Sequence, residues 1–286
     1  MKLSFEKTKC NLCGQDQTKN IFTLRSFNVV KCKNCSLVYV NPQLSQKILA
    51  QIYDKEYFVT SGEKFYKNYF EERKWRTEEF QKVIQKINEI KQPPGNFLDI
   101  GCAAGYLLDV ARENGWETYG VEISKEAGIF AREKLKLEVF VGTIQKAKFP
   151  ANFFDVVTMI DTIEHMTDPK SELKEAARVL KKSGLLVIDT PNISSLGFKI
   201  FGKGWRFMVP EVHLWYFSPK TITLMLEETG FKNIKITYPY FETKYFNLTE
   251  LKNLLGRIAQ RVALPSKIIP SAPMRGNLMN IFALKV

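Results

Sequence analysis

Histidine is nearly missing from this chain: there are two in 286 residues. Any imidazole chemistry must therefore pass through His165 or His213. No apolar run approaches the ~20 residues that cross a bilayer. The stretch Met1 to Lys9 has no apolar core of the secretory kind. A cytoplasmic location is the expectation, and with it disulfides are disfavoured for the five cysteines. The G-K-[ST] of a phosphate loop is absent. The dinucleotide fingerprint also fails: counting from Gly101, its later glycines fall where Ala103 and Tyr106 stand.

What is present supports one large domain and a small one, with 45% hydrophobic residues to build a sizeable core. The net charge of +12 is unevenly placed. Residues 1–95 carry +7, residues 96–190 carry −3 and residues 191–286 carry +8. Basic flanks around a slightly acidic middle suit an anionic substrate, an anionic lipid surface or nucleic acid, or simply make a solvated surface.

The chain is organised around one stretch. Asn96 to Ile100 is short and apolar after Pro93, Pro94 and Gly95, as a buried strand should be. From Tyr106 the apolar residues Leu107, Leu108, Val110 and Ala111 fall on a helical face. The turn between them has Gly101 and Gly105, where positive φ and close approach of a ligand are easy. The helix that follows points its free N–H groups at that turn. A second strand, Glu117 to Val121, ends at Glu122, whose carboxylate suits the two hydroxyls of a ribose. The expected ligand carries a ribose and no pyrophosphate.

Further strands are expected near 138–141, 154–160 and 184–189, with helices near 105–114, 124–136 and 169–181, the last stopped by Ser183-Gly184. This alternation predicts a parallel sheet. A helix over 219–229 and strands over 234–238 and 280–286 close the chain.

Ahead of the sheet lie Cys10, Cys13, Cys32 and Cys35, as C-x₂-C, eighteen residues, C-x₂-C. That spacing reads as a closed four-thiolate structural zinc site. The expected division is a zinc ribbon over 1–44, a helical linker or lid over 45–92, and a domain over 93–286 with insertions at about 190–217 and 241–276. Helices are expected over 45–53 and 63–91, with Tyr57, Tyr66 and Tyr69 as residues near a ligand. The first insertion, with Trp205, Arg206, Phe207, Met208, His213, Trp215 and Tyr216, follows the fifth strand and should cover the site. In the second, Leu251, Leu254, Leu255, Ile258 and Val262 form a face beside Lys252, Arg257 and Arg261. A helix over 248–264 with such a face packs on its own domain or lies on anionic lipid.

The motifs LDIGCAAG, YGVEIS, FDVVTMIDTIEHM and LKEAARVLKKSGLLVIDTPN, in this order, resemble the class I S-adenosylmethionine-dependent methyltransferases from about Phe97 to Phe231. The resemblance implies a Rossmann-like α/β sheet, mostly parallel with an antiparallel last strand. It implies that Asp99, Gly101, Cys102, Ala103, Gly105 and Tyr106 hold the methionine end of the cofactor. Glu122 with Ile123 would meet the ribose, and Ile160 and Asp161 would lie beside the methionine. The family often has Asp after the glycine ending the third strand, contacting adenine; here Gly142 is followed by Thr143 and Ile144.

The run Asp161-Thr162-Ile163-Glu164-His165 resembles the E-x-x-E-H of ubiquinone-biosynthesis O-methyltransferases and, more distantly, of small-RNA 2′-O-methyltransferases. In the RNA enzymes a later histidine completes a magnesium site, which implies a second metal site of Asp161, Glu164, His165 and His213. Asp161 is one methylene shorter than the family's residue. The residues leave a second use open: a neutral His165 or His213 as general base, with an ordinary pKa near ~6.5, beside Asp161. Zinc ribbons ahead of such domains also resemble the sugar C-methyltransferases of antibiotic pathways, whose extra C-terminal domain is not evident here. The expected acceptor is small and hydroxylated or carbanionic: a sugar nucleotide, glycolipid or quinone. An RNA methyltransferase is the second expectation and a non-catalytic cofactor-binding module the third; the oligomeric state stays open.

Overall fold

Strand β6 (Asn96–Ile100) lies at the middle of a seven-stranded sheet because its Phe97 and Leu98 are wholly buried, one toward each face. The sheet is seen in a computed structural model that describes residues 4–45, 48–49, 52, 73–238, 248–264 and 276–286. Its order is β12-β13-β10-β9-β6-β7-β8, with β7 Glu117–Glu122, β8 Glu138–Val141, β9 Phe154–Ile160, β10 Leu180–Pro191, β12 Phe231–Thr237 and β13 Leu278–Lys285. β8, β7, β6, β9 and β10 run parallel; β13 is antiparallel to both β10 and β12. Strands covered on both faces read as continuous apolar runs, which is why 96–100 and 154–160 were legible.

Two cores flank the sheet. On one face Phe97, Val156 and Val187 meet Ile84 and Ile87 of helix α1 (Arg73–Asn88) and Leu107 and Leu108 of α2 (Tyr106–Glu113). On the other face Leu98, Val157 and Ile188 meet Leu173 of α5 (Pro169–Val179) and Ile222 and Met225 of α7 (Pro219–Glu228). Between these come α3 (Lys125–Lys134), α4 (Ile144–Ala147) and α6 (Leu196–Phe201).

The N-terminal ribbon is β2 (Thr18–Leu24), β3 (Phe27–Cys32) and β4 (Val38–Val40), with Phe5–Glu6 (β1) paired to Gln43–Leu44 (β5). The fourth strand of its sheet is β11 (Trp215–Tyr216), which comes from the first insertion. Sequence gave no sign of that pairing, since two residues carry no strand periodicity.

One boundary is corrected. Helix α5 ends at Val179, not near 181, and Ser183-Gly184 lies inside β10. Leu180 is fully buried and already pairs with Phe154. The register then shifts before Leu185, with Ser183 at φ 59°, so this Ser-Gly pair makes an irregularity in a strand and not a helix stop. Tyr57, Tyr66, Tyr69 and the beginning of the helix expected over 63–91 lie outside the described residues. In α8 (Leu248–Ala263), Leu255 and Val262 are 58% and 77% exposed, so these members of its apolar face are not packed on the domain.

Candidate active site

The turn after β6 is shaped by backbone conformation. Gly101 and Gly105 take φ 78° and 82°, and Ala103 takes φ 48°. A Cβ on Gly101 would stand 2.5 Å from Thr162 Cγ2, so the glycine lets the loop after β9 pack directly on the turn. The turn is pinned to β7: Gly101 N and Cys102 N donate to Val121 O at 2.8 and 3.1 Å. Gly105 caps α2 without any side-chain bond, so the first N–H groups of the helix are left to other partners.

Glu122 ends β7 and is buried. Its two carboxylate oxygens accept from Ala103 N at 2.8 Å and Ser124 N at 2.7 Å. It thus ties the turn to the second strand, and each oxygen keeps a lone pair for a ligand hydroxyl. Ile123 beside it is 55% exposed, an apolar side chain placed in the open. Cys102 and Tyr106 point their side chains inward: Cys102 Sγ lies against Gly120, and Tyr106 packs edge-on to Phe130. Only their backbones are available to a ligand. Gly142 N donates to Glu122 O, Thr143 caps α4 without a side-chain bond, and the Ile144 side chain is wholly buried.

Asp99 is buried and accepts from Thr158 Oγ1 at 2.6 Å. Burial pushes its carboxyl up to about 7, against the Thr158 hydrogen bond and with help from the charge on Glu122. Burial raises Glu122 as well, opposed by its backbone N–H partners. A positive charge beside these two buried acids would offset their desolvation.

Beyond β9 the chain turns through Asp161, which holds φ 50°, an unusual value for a non-glycine residue. Asp161 N donates to Asp189 O at 3.1 Å, and burial together with the nearby Asp161 charge raises the Asp189 carboxyl. Arg76 of α1, itself buried, and Arg206 act electrostatically on Asp161. Asp161 therefore faces Asp189 and is not among the metal-type ligands gathered next to it.

Those ligands are Glu164, His165 and His213, with donor atoms within 4.8 Å of one another. Glu164 is buried and accepts from Thr190 Oγ1 at 2.9 Å. Burial and the nearby Asp161 charge push it up to about 8. The two imidazole rings lie 4.6 Å apart at 82°. His165 Nδ1 is 3.0 Å from Val212 O and His213 Nδ1 is 2.8 Å from Phe207 O. A carbonyl only accepts, so each ring carries its proton on Nδ1 and turns an Nε2 lone pair away from that bond. Burial lowers both, His213 to about 4, so both are neutral at pH 7. The insertion has thus brought His213 from 48 residues downstream onto the loop that packs on the glycine turn.

Arg76, Asp189 and Thr190 had not stood out in the sequence. Asp189 and Thr190 had a signal, their place at the carboxyl end of the fifth strand. Arg76 had none, because a helix before the first strand offers many basic residues and periodicity does not say which one turns inward.

The four ribbon cysteines carry free thiols gathered within 4.8 Å, with Cys10–Cys35 and Cys13–Cys32 sulfurs 3.3 and 3.5 Å apart. That is far beyond an S–S bond of ~2.05 Å. It is close to the spacing of four sulfurs bound at ~2.3 Å around a tetrahedral ion. Gly14 at φ 74° and Ser36 at φ 70° take the same place in the two knuckles.

This sheet, the glycine turn, the acid ending β7 and the strand-end loop define a class I S-adenosylmethionine-dependent methyltransferase. A family model described as a methyltransferase domain matches residues 72–236, and the chain belongs to that family. Among curated relatives, a demethylmenaquinone methyltransferase of Bacillus licheniformis is 29% identical over 209 residues, 60% of this chain and 87% of the relative. A ubiquinone biosynthesis O-methyltransferase of Aliivibrio fischeri is 30% identical over 152 residues, 49% of this chain and 65% of that protein. Among solved structures, a SAM-dependent methyltransferase of Thermotoga maritima superposes with TM-score 0.56 at 21% identity, over 83% of this chain and 100% of that one. Another, from Archaeoglobus fulgidus, gives 0.54 at 22% identity, over 76% and 99%. At these identities the solved structures show the shared fold.

The Asp99 shift has a measurable consequence. A cationic cofactor binds the ionised carboxylate better, and below pH 7 the free protein holds that group protonated. Affinity for S-adenosylmethionine should therefore weaken as pH falls from 8 to 6, by about tenfold for one group titrating near 7. Binding at pH 7 should release protons, seen as a buffer-dependent heat in calorimetry. A pH-independent affinity with no proton release would contradict the assignment.

Proposed function

We propose that this methyltransferase acts on a small hydroxylated or carbanionic acceptor, quinone-like or sugar-like, that meets the enzyme at Glu164, His165 and His213. The observation that carries the reading is the pair of neutral imidazoles, 4.6 Å apart, one on the loop packed against the glycine turn and the other brought to it by the insertion. The demethylmenaquinone and ubiquinone relatives point to the same acceptor class.

S-adenosylmethionine supplies a methyl group already activated on a sulfonium sulfur. The chain's work is then alignment and proton handling, and alignment alone contributes up to roughly 7–11 kcal/mol in favourable cases. In this reading the backbone of 101–105 cradles the methionine end, Arg76 meets its carboxylate, and Glu122 binds the ribose. Ile123 lies against the adenine, with Thr143 at its edge. His213 accepts the acceptor's hydroxyl proton at Nε2 as the new oxygen–carbon bond forms; His165 and Glu164 hold it in place. The four cysteines hold a structural zinc.

A second reading rests on the ligand set. Two imidazoles with Nδ1 fixed on carbonyls, beside a carboxylate, resemble the way metal-binding histidines are oriented. With two nitrogens and one oxygen, and Asp161 turned to Asp189, this set suits a transition cation better than magnesium, which prefers oxygen.

Incubation with hydroquinone and sugar-nucleotide acceptors, read by mass spectrometry, tests the acceptor class. His213→Ala should lower turnover by roughly 10²–10⁴, the usual worth of a general base, with S-adenosylmethionine affinity unchanged. Loss of activity in EDTA while the ribbon keeps its zinc, restored by added zinc or manganese, would favour the cation. Full activity of His213→Ala would reject both roles.

A further inference from the structure

The ribbon and the acceptor side of the site are joined by one short ladder. Strand β4 leaves the second cysteine knuckle directly, with Cys32 N bonded to Leu37 O. Its free edge pairs with β11, Tyr39 opposite Trp215 and Val38 opposite Tyr216. The Tyr39 and Trp215 rings stack at 5.3 Å and 30°, and both side chains are buried. Val40 N donates to Leu214 O at 2.9 Å, and Leu214 N donates to Glu164 O at 2.8 Å. Trp215 Nε1 donates to Met166 O at 2.7 Å. The ladder therefore runs from the knuckle through β4 to residues 214 and 215, and from them to residues 164 and 166. His213 adjoins Leu214, and His165 lies between Glu164 and Met166.

Strand β11 has two residues and a single strand neighbour, β4. So short a strand has no stability of its own; its place is set by what it pairs with. On the side away from His213 the chain is tethered by the bond from Ile193 N to Phe217 O at 2.9 Å, and the Tyr216 ring packs on Trp205 and His213. The ribbon, in turn, is docked to the body through its first knuckle, where Asn11 exchanges bonds of 2.8 Å with Asp168 and with Lys170 N at the start of α5.

We infer that the cysteine ribbon positions the acceptor side of the active site: Tyr39 and Trp215 are positioning residues that hold His213, His165 and Glu164 through β11. The inference rests on the reading of those three residues as the acceptor site, and it makes metal loading of the ribbon a condition for their arrangement. The cofactor side, pinned between β6 and β7, does not pass through this ladder.

The two histidines make a clean test. In the full-length chain labelled with ¹³C-histidine, two imidazole signals report His165 and His213 alone. Trp215→Ala removes the stack and the bond to Met166; both signals should move, while zinc content stays at one per chain and S-adenosylmethionine affinity changes by less than threefold. Trp215→Phe, which keeps a stacking ring, should return the signals toward the parent. Stripping zinc from the parent with a chelator should reproduce the Trp215→Ala shifts. Unmoved signals in Trp215→Ala would overturn the inference, and so would signal changes matched by an equal loss of cofactor affinity, the mark of general loosening. Should Trp215→Ala not fold, Tyr39→Leu probes the same stack from the ribbon side under the same criteria. A parent that binds no zinc would refute the metal condition, with the ladder still judged by the Trp215 variants. Unchanged turnover of His213→Ala would defeat the acceptor-site reading and leave the outcome of the Trp215 comparison as it stands.

Discussion

Glu122→Ala should bind S-adenosylmethionine about 10²–10⁴-fold more weakly. Two hydrogen bonds from ribose hydroxyls to a carboxylate are worth ~1.5–3 kcal/mol each, and ~1.4 kcal/mol is tenfold in affinity. The structure adds a second loss. The same carboxylate holds Ala103 N and Ser124 N, so its removal also releases the turn after β6. Glu122→Gln separates the two contributions, because an amide oxygen still accepts one backbone bond while its NH₂ group opposes the other. The alanine variant should be weaker than the glutamine variant, and both weaker than the parent in calorimetry. Parent-like affinity in Glu122→Ala would reject the ribose assignment.

Cys13→Ser should cost the chain its zinc and the order of its ribbon. Structural zinc contributes roughly 10–16 kcal/mol in small modules of this kind, and a ribbon of about forty residues is too small to hold its own order without it. Elemental analysis should fall from one zinc per chain to none. Amides of β2, β3 and β4 should lose protection from hydrogen exchange, and those of Leu214 to Tyr216 should follow, because β4 is their neighbour in the sheet. Strands β6 and β7 should stay protected, since α1 and α2 cover one face of the sheet with a core that contains no ribbon residue, while Leu98, Ile100 and Val121 share the core of the other face with the ribbon. Ordered ribbon amides in a zinc-free protein would sink the metal assignment. Collapse of β6 and β7 along with the ribbon would show that the two cores are not independent.

Much of this was legible in residues 96–191, and for a physical reason. A parallel strand buried on both faces must be apolar throughout, and the helix beside it must show its own period. The glycines at 101 and 105 announced positive φ, which both adopt. Four cysteines at knuckle spacing announced their cluster, because the C-x₂-C turn is local and metal geometry is strict. Ser183-Gly184 misled because the same dipeptide serves a helix stop and a strand irregularity; only the burial of Leu180 against Phe154 decides between them.

By itself the sequence determined the class of sheet, the glycine turn, the acid ending the second strand and the ribbon, all of which rest on contacts within a few residues or on a repeating period. Tertiary structure alone decided that Asp161 pairs with Asp189, that Arg76 turns inward, and that His213 meets His165. It alone decided that two residues of an insertion complete the ribbon's sheet. Each is a pairing across tens of residues or more. Each depends on which groups the assembled fold sets side by side, and no local pattern in the chain carries that information.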